Sequence, residues 1–336
     1  MGSDHNCEPM ELPADPGIIF MGTPDYAVPS LERLVKEGYT IQAVVTQPDR
    51  PKGRGRRPVP PPVKQAATGL GLKVLQPERS ADPVFCRRIH GLGPDLLVVV
   101  AFGQILSQDL LDIPGWGALN IHASLLPRYR GAAPIQWAIM NDEEKTGLSA
   151  MRMEAGLDTG PVLLQEEVPI GPEETAGELH DRLAVLSGDL LIRTIEGIRG
   201  GRLTPKPQDE SRATYAPKIH KGISLIDWNR TARSISALIR GLDPWPGAVG
   251  SVKGREVKFF SSKVVHTQRT DLCPGRVARN SKEGLLVETA ADLVLIRELQ
   301  APGRKRLRAA DFLRGFPMDE GTILGKVGLK PGGKGE

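Results

Sequence analysis

Cysteine is scarce in this 336-residue sequence: Cys7, Cys86 and Cys273 are the three present, and they lie far apart. Neither a disulfide framework nor the paired spacing of a zinc site can be read from them, so a reducing compartment is expected. No stretch approaches the roughly 20 apolar residues that a membrane span needs. The first residues lack the basic start and apolar run of a signal peptide, and their acidity argues against a transit peptide. The three-glycine fingerprint of a dinucleotide fold is missing at Gly22-Thr23-Pro24-Asp25, where it would fall, which disfavours a nicotinamide enzyme. No Walker sequence occurs and no His or Cys cluster has metal spacing, so metal-free chemistry is expected.

What is present is the composition of a soluble globular chain, 40% apolar and 25% charged, long enough for two domains. The net charge of +4 conceals an asymmetry. Residues 1–16 carry Asp4, Glu8, Glu11 and Asp15 with no Lys or Arg, and setting those four charges aside leaves +8 from Gly17 onward. A moderate positive field of this kind favours a polyanionic partner.

The first half alternates short apolar runs with amphipathic segments, the pattern of a Rossmann-like, doubly wound, mostly parallel α/β sheet. Its strands are expected at 17–20, 40–45, 73–75, 96–100 and 118–121, and its helices at 28–37, 83–90 and 135–140. Leu179, Leu183, Leu186, Leu190 and Leu191 then recur at helical spacing, which predicts a long closing helix over 175–198. A polar, proline-containing stretch follows and reads as a linker. Beyond it, a helix at 235–242 and five short strands between 248 and 299 predict a small, OB-like β-barrel. The expected organisation is a disordered lead-in over 1–16, the α/β domain over 17–204, a linker over 205–221, the barrel over 222–328 and a flexible tail over 329–336.

Open α/β sheets bind ligands outside the carboxyl ends of their strands, where Asn120 and His122 fall. Two residues apart on an extended segment, their side chains share a face, so an amide donor and an imidazole can converge on one atom. That arrangement suits acyl transfer, in which a developing oxyanion needs fixed donors. A hydrogen-bonded structural histidine fits the same position. Ser124, Leu125, Leu126 and Pro127 then leave the strand and lead through Arg128-Tyr129-Arg130-Gly131 into a helix, a segment able to wall a planar ligand or simply to join two elements. Asp158 sits in Gly156-Leu157-Asp158-Thr159-Gly160, where flanking glycines allow unusual dihedrals that aim one short carboxylate. Near an imidazole it would favour the charged ring and assist proton transfer; alone it reads equally as a turn aspartate.

Arg50, Lys52, Arg54, Arg56 and Arg57 crowd a Pro- and Gly-containing stretch, and Arg304, Lys305 and Arg306 form a second basic run in the C-terminal part. Each is either a solvated surface or a grip on phosphates. Two basic regions in different domains would let a large polyanion bridge them.

The run from Asn120-Ile121-His122 through Arg130-Gly131-Ala132-Ala133-Pro134-Ile135-Gln136, with its spacing to the Asp158 segment, resembles the formyltransferase superfamily that uses 10-formyltetrahydrofolate. Phe20-Met21-Gly22-Thr23-Pro24-Asp25, Gln47-Pro48-Asp49-Arg50-Pro51 through Gly53-Arg54-Gly55, and Asp243-Pro244-Trp245-Pro246-Gly247 are similar to the branch that acts on methionyl initiator tRNA. The likeness spans approximately Ile18 to Gly315, both expected domains. It implies that Asn120, His122 and Asp158 are catalytic, that Ser124 to Pro127 contacts the folate donor, and that the inserted basic loop containing Arg54 contacts tRNA; with tRNA as the polyanion, the charge of the second run makes its residues candidate contacts too. A monomeric, bacterial-type cytoplasmic enzyme without a metal is expected. Superfamily members that formylate glycinamide ribonucleotide or an amino sugar, or release formate to water, are the nearest rivals, and neither the basic insertion nor a basic barrel is required for a small substrate. A non-catalytic RNA-binding protein and an oxidoreductase are the rivals from other classes.

Overall fold

Apolar runs bounded by turn residues fold here into strands whose side chains are buried on both faces, as the centre of a covered parallel sheet requires. The computed structural model describes residues 12–52 and 57–325, with the backbone alone described at Lys52 and Arg57. The chain begins with β1 (Ile18–Gly22), α1 (Val28–Lys36), β2 (Ile41–Val45), β3 (Arg50–Lys52), β4 (Arg57–Val59), α2 (Pro62–Gly69) and β5 (Val74–Leu75). It continues with α3 (Pro83–His90), β6 (Leu96–Val100), α4 (Gln108–Leu111), β7 (Gly117–His122), α5 (Pro134–Met140), β8 (Lys145–Arg152), β9 (Val162–Pro169) and α6 (Ala176–Arg199).

Seven of these strands form one sheet in the order β5-β2-β1-β6-β7-β8-β9. β1 pairs in parallel with β2 and β6, β2 with β5, and β6 with β7, while β8 runs antiparallel to β7. The sheet therefore grows one way from β1 to β5 and the other way from β6 onward, which opens a crevice at the carboxyl ends of β1 and β6. Ile19, Met21, Val45, Leu97 and Val99 pack on one face with Phe85 and Ile89 of α3 and Leu110 of α4. Each such side chain contributes roughly 1.5–3 kcal/mol by leaving water. α6 starts with a reciprocal cap, in which the Glu178 amide donates to Thr175 Oγ1 at 3.2 Å and the Thr175 amide to Glu178 Oε2 at 2.9 Å. The doubly wound expectation is met. The sequence patterns did not announce β8, α2 or α4.

The remainder comprises α7 (Ala232–Gly241), β10 (Ala248–Val252), β11 (Arg255–Val265), β12 (Val277–Asn280), β13 (Leu285–Glu288), β14 (Leu293–Gln300), β15 (Leu307–Arg308), α8 (Ala309–Gly315) and β16 (Leu324–Gly325). The antiparallel order is β12-β13-β14-β11-β10-β16, and a bridge between Arg276 and Ile323 brings the two edges together into the expected small barrel. Gly275 permits that closure, because a Cβ there would lie 2.5 Å from the Leu324 carbonyl oxygen. Val257, Phe259, Val287, Val294 and Ile296 fill the interior, with Trp228 edge-on to Phe259 at 5.6 Å.

The chain divides into two compact units. The first holds the described residues up to Pro134 together with Thr146–Val168 and His180–Ala216; the second holds Ile135–Lys145, Pro169–Leu179 and the described residues from Pro217. Residues 205–216, expected as linker, thus belong to the first unit. Of the expected lead-in, residues 1–11 lie outside the described residues, whereas Leu12 and Pro16 are buried and Asp15 accepts a 3.0 Å hydrogen bond from Thr40 Oγ1. The expected tail, 329–336, lies outside the described residues. No helix among the described residues is long and apolar enough to cross a membrane.

Candidate active site

β7 carries Asn120 and His122 to the sheet's carboxyl edge, where both are nearly buried, 8% and 7% exposed. Asn120 lies level with Val99 of β6, beside the crevice that the sheet topology creates. Its carboxamide makes no hydrogen bond among the described residues, so its donors are available to a ligand. The His122 ring is tethered on one side, with Nε2 2.9 Å from the Tyr129 carbonyl oxygen. A carbonyl only accepts, so Nε2 carries a proton in either charge state of the ring. Nδ1 is then the nitrogen left for chemistry, and it faces Asp158 Oδ2 at 3.7 Å, an ion-pair distance rather than a hydrogen bond.

Asp158 is itself held in the left-handed region, φ +54°. Its Oδ2 accepts from the Gly131 amide at 2.8 Å, which anchors the carboxylate while Oδ1 makes no hydrogen bond among the described residues. The flanking glycines serve a different purpose from the one their sequence suggests. It is Asp158 that takes the unusual dihedral; Gly160 is needed because a Cβ would lie 1.8 Å from the Arg152 carbonyl oxygen, and Gly156 because one would lie 2.2 Å from Thr159 Oγ1.

The 124–127 segment is pinned from beneath. Ser149 Oγ donates to the Ser124 carbonyl at 2.6 Å and accepts from the Leu126 amide and from Gln165 Nε2, which also donates to the Leu126 carbonyl. Ser124 is fully buried and its hydroxyl donates to the Arg128 carbonyl at 2.6 Å. Ser124 and Leu126 thus shape the loop, and Leu125 and Pro127 are the two of the four with side-chain surface to offer.

Sequence reasoning missed the strap that backs this loop. The Arg130 amide donates to the Thr214 carbonyl at 2.8 Å, the Ala216 amide to the Arg130 carbonyl at 2.7 Å, and the Tyr129 amide to Thr214 Oγ1 at 2.8 Å. Arg130 is fully buried, and its guanidinium donates to Gln208 and Glu210. The Glu210 hydrogen bond raises the arginine further above its ordinary value and holds the Glu210 carboxyl below the usual range. Nothing in the local sequence distinguishes this arginine from a solvated one.

The basic stretch is anchored at its base. β3 and β4 pair antiparallel, and Asp49 accepts from Gln76 and from Lys64. Those bonds, Gln76 first, hold its carboxyl below the usual range. Arg50 is exposed and stands 3.5 Å from Glu78. Arg54 and Arg56 lie outside the described residues, as do the side chains of Lys52 and Arg57. In the second unit Arg304 and Lys305 are exposed. Arg306 is held from below: it donates to both Asp243 oxygens at 2.6 and 3.0 Å and to Glu298, and it lies 4.3 Å from the Phe260 ring centroid. Its guanidinium is committed to the barrel. Among the described residues no three His, Cys, Asp or Glu side chains are grouped to hold a metal ion.

The sequence profile of the formyl transferase family matches residues 17–195, and that of the formyl transferase C-terminal domain matches residues 218–317. The methionyl-tRNA formyltransferase of Ruminiclostridium cellulolyticum is 46% identical over 92% of this chain and 99% of its own length. That of Pelobacter propionicus is 49% identical over 92% and 96%. Among solved structures, an N-formyltransferase from Helicobacter canadensis in complex with folinic acid and dTDP-3-aminofucose shares the fold, with a TM-score of 0.63 at 19% identity over 83% of this chain and 97% of that one. With nearly half its residues identical to such relatives along almost their whole length, the chain belongs to the methionyl-tRNA formyltransferase family.

Proposed function

We propose that the chain transfers the formyl group of 10-formyltetrahydrofolate to the α-amino group of methionine esterified to initiator tRNA, using Asn120, His122 and Asp158. The observation that carries this reading is their convergence at the carboxyl end of β7, with a carboxamide that has no partner among the described residues beside an imidazole that faces a carboxylate at 3.7 Å. A formyl oxygen is what such donors fit.

The neutral amine attacks the formyl carbon, a C–N bond forms, and charge collects on the formyl oxygen. Asn120 donates to that oxygen, and the His122 ring, protonated at Nδ1, supports it as the charge develops. Asp158 stabilises the charged ring and takes the amine proton. As the carbon's bond to the folate nitrogen breaks, that nitrogen takes up the proton the amine gave to Asp158, directly or through solvent, which restores the carboxylate and leaves formylmethionyl-tRNA and tetrahydrofolate. Leu125 and Pro127 face the folate, while Ser124 and Leu126 keep their loop in shape. Arg50, Lys52, Arg54, Arg56, Arg57, Arg304 and Lys305 contact tRNA phosphates, and Arg306 is withdrawn from that set. The reaction belongs with translation initiation in the cytoplasm, and one copy of the chain contains every group it uses.

The test offers 10-formyltetrahydrofolate with either methionyl initiator tRNA or glycinamide ribonucleotide and follows labelled formyl. Incorporation into the tRNA is expected. Transfer to the small amine alone would overturn the acceptor, and transfer to neither would overturn the activity.

A further inference from the structure

The segment 205–216 has the composition of a linker, yet one of its side chains joins the two loops that hold the reacting groups. Gln208 Oε1 accepts from Arg130 Nε at 3.1 Å and from Nη2 at 2.8 Å. Its Nε2 donates to the carbonyl oxygens of Asp158 and Gly160, both at 2.7 Å. A primary amide offers two acceptor lone pairs and two N–H groups, so this one is fully used.

The two loops it joins are the two on which the His122–Asp158 pair depends. Arg130 follows Tyr129, whose carbonyl fixes His122 Nε2, and precedes Gly131, whose amide fixes Asp158 Oδ2. The carbonyl of Asp158 is the second hold on a residue kept at φ +54°, where a non-glycine backbone persists only when its surroundings over-determine it. Asp158 is therefore clamped at both ends: by Gly131 at the carboxylate and by Gln208 at the carbonyl. Arg130 in turn is fully buried with Glu210 on its other edge, so the anchor itself cannot drift.

We infer that Gln208 is a positioning residue for formyl transfer, setting the Asp158 carboxylate against His122 by tying the 128–131 and 156–160 loops through one amide. The inference rests on the assignment of Asp158 to the reaction. No shorter or charged side chain substitutes. Asparagine lacks a methylene of reach, and glutamate would set a carboxylate oxygen against two carbonyl oxygens while still satisfying Arg130.

Gln208→Glu, nearly isosteric, separates the two halves of the contact. Its expected effect is a fall in kcat of about 10- to 100-fold, the scale of a sub-ångström to one-ångström misplacement, with KM for both substrates within about twofold. A residue that acts through Asp158 has nothing left to position once the carboxylate is gone, so Gln208→Glu added to Asp158→Ala should lower kcat no further. Gln208→Met, which loses all four hydrogen bonds without adding charge, serves if the glutamate variant does not give a cooperative melt. Wild-type kcat in the Gln208 variants, or the same fold-loss with and without the Asp158 carboxylate, overturns the positioning role alone. Wild-type kcat in Asp158→Ala removes the assignment beneath it and the inference with it.

Discussion

Replacing Asp158 by asparagine keeps the shape of the side chain and removes its charge, and with it both the support of the charged imidazole and the acceptor of the amine proton; the first of these can be given a magnitude from the structure. His122 Nδ1 and Asp158 Oδ2 are 3.7 Å apart, with side-chain exposures of 8% and 15%. Two unit charges at that distance attract by about 4 kcal/mol at an effective dielectric constant of about 20. The attraction exists only when the ring is charged, which is the state that supports the formyl oxygen as it becomes anionic. Its loss therefore falls on the transition state rather than on binding. At 1.4 kcal/mol per decade, and allowing for the solvent that reaches the pair, kcat should drop by about 100- to 1,000-fold. Steady-state formylation of methionyl initiator tRNA, run at saturating and limiting levels of each substrate, measures this. KM should stay within about threefold, and the melting curve should be unchanged, because an asparagine oxygen can still accept from the Gly131 amide at the place where Oδ2 now lies 2.8 Å away. A kcat within threefold of the parent would refute the electrostatic account. A rise in KM with kcat intact would instead make Asp158 a binding residue.

Asn120→Ala should lower kcat by about 100-fold or more with the fold intact, since it removes one oxyanion donor that no protein group shares; near-normal turnover in the same assay would take Asn120 out of the mechanism. Gly160→Ala should displace the Asp158 loop, because its Cβ would meet the Arg152 carbonyl oxygen at 1.8 Å; urea unfolding should show a loss of at least about 1–3 kcal/mol, and kcat should fall with it. Arg306→Ala and Lys305→Ala should separate cleanly. The first strands the nearly buried Asp243 carboxylate and should cost about 2–3 kcal/mol in urea unfolding, with the salt dependence of tRNA use unchanged. The second should leave stability alone and reduce the slope of log(kcat/KM) against log[salt] by about one, and a slope unchanged in Lys305→Ala would make that basic run a solvated surface.

The parallel strands were legible because a strand covered on both faces must be apolar at every position, and Leu96–Val100 satisfies that without reference to anything distant. β8 was not, although six of its eight residues are buried. Thr146, Gly147 and Ser149 are small or polar, and their burial comes from neighbouring strands rather than from their own hydrophobicity. α2 follows directly on the Pro- and Arg-rich stretch and carries little apolar signal of its own, with Val63 and Ala67 its buried positions. Asn120 and His122 were legible for a topological reason: a pair spaced by two at a strand's carboxyl end shares a face, and β7 presents both at the crevice.

Polar surface residues carry the least local information about what they do, and that is where the sequence reading and the structure part. Arg304, Lys305 and Arg306 form one basic run by composition, but the partner that separates Arg306 from the others is Asp243, far off in the chain. Arg130 is written into the same kind of basic turn as Arg128, yet it is fully buried because Gln208 and Glu210 reach back over it. A linker and a strap are drawn from the same polar, proline-containing vocabulary, since both run over a surface. What distinguishes them is whether their backbone groups pair with the domain they cross. Lys206 exchanges two 2.8 Å bonds with Val162, and Thr214 and Ala216 bond Arg130 on either side. Those bonds are set by the fold of the partner, so no window of sequence around Gln208 contains them. The same reasoning explains why Asn120, His122 and Asp158 could be named as candidates from the sequence and Gln208 could not. A reacting group must be of one chemical type, and the residue that positions it need only carry the right hydrogen-bond pattern at the right distance.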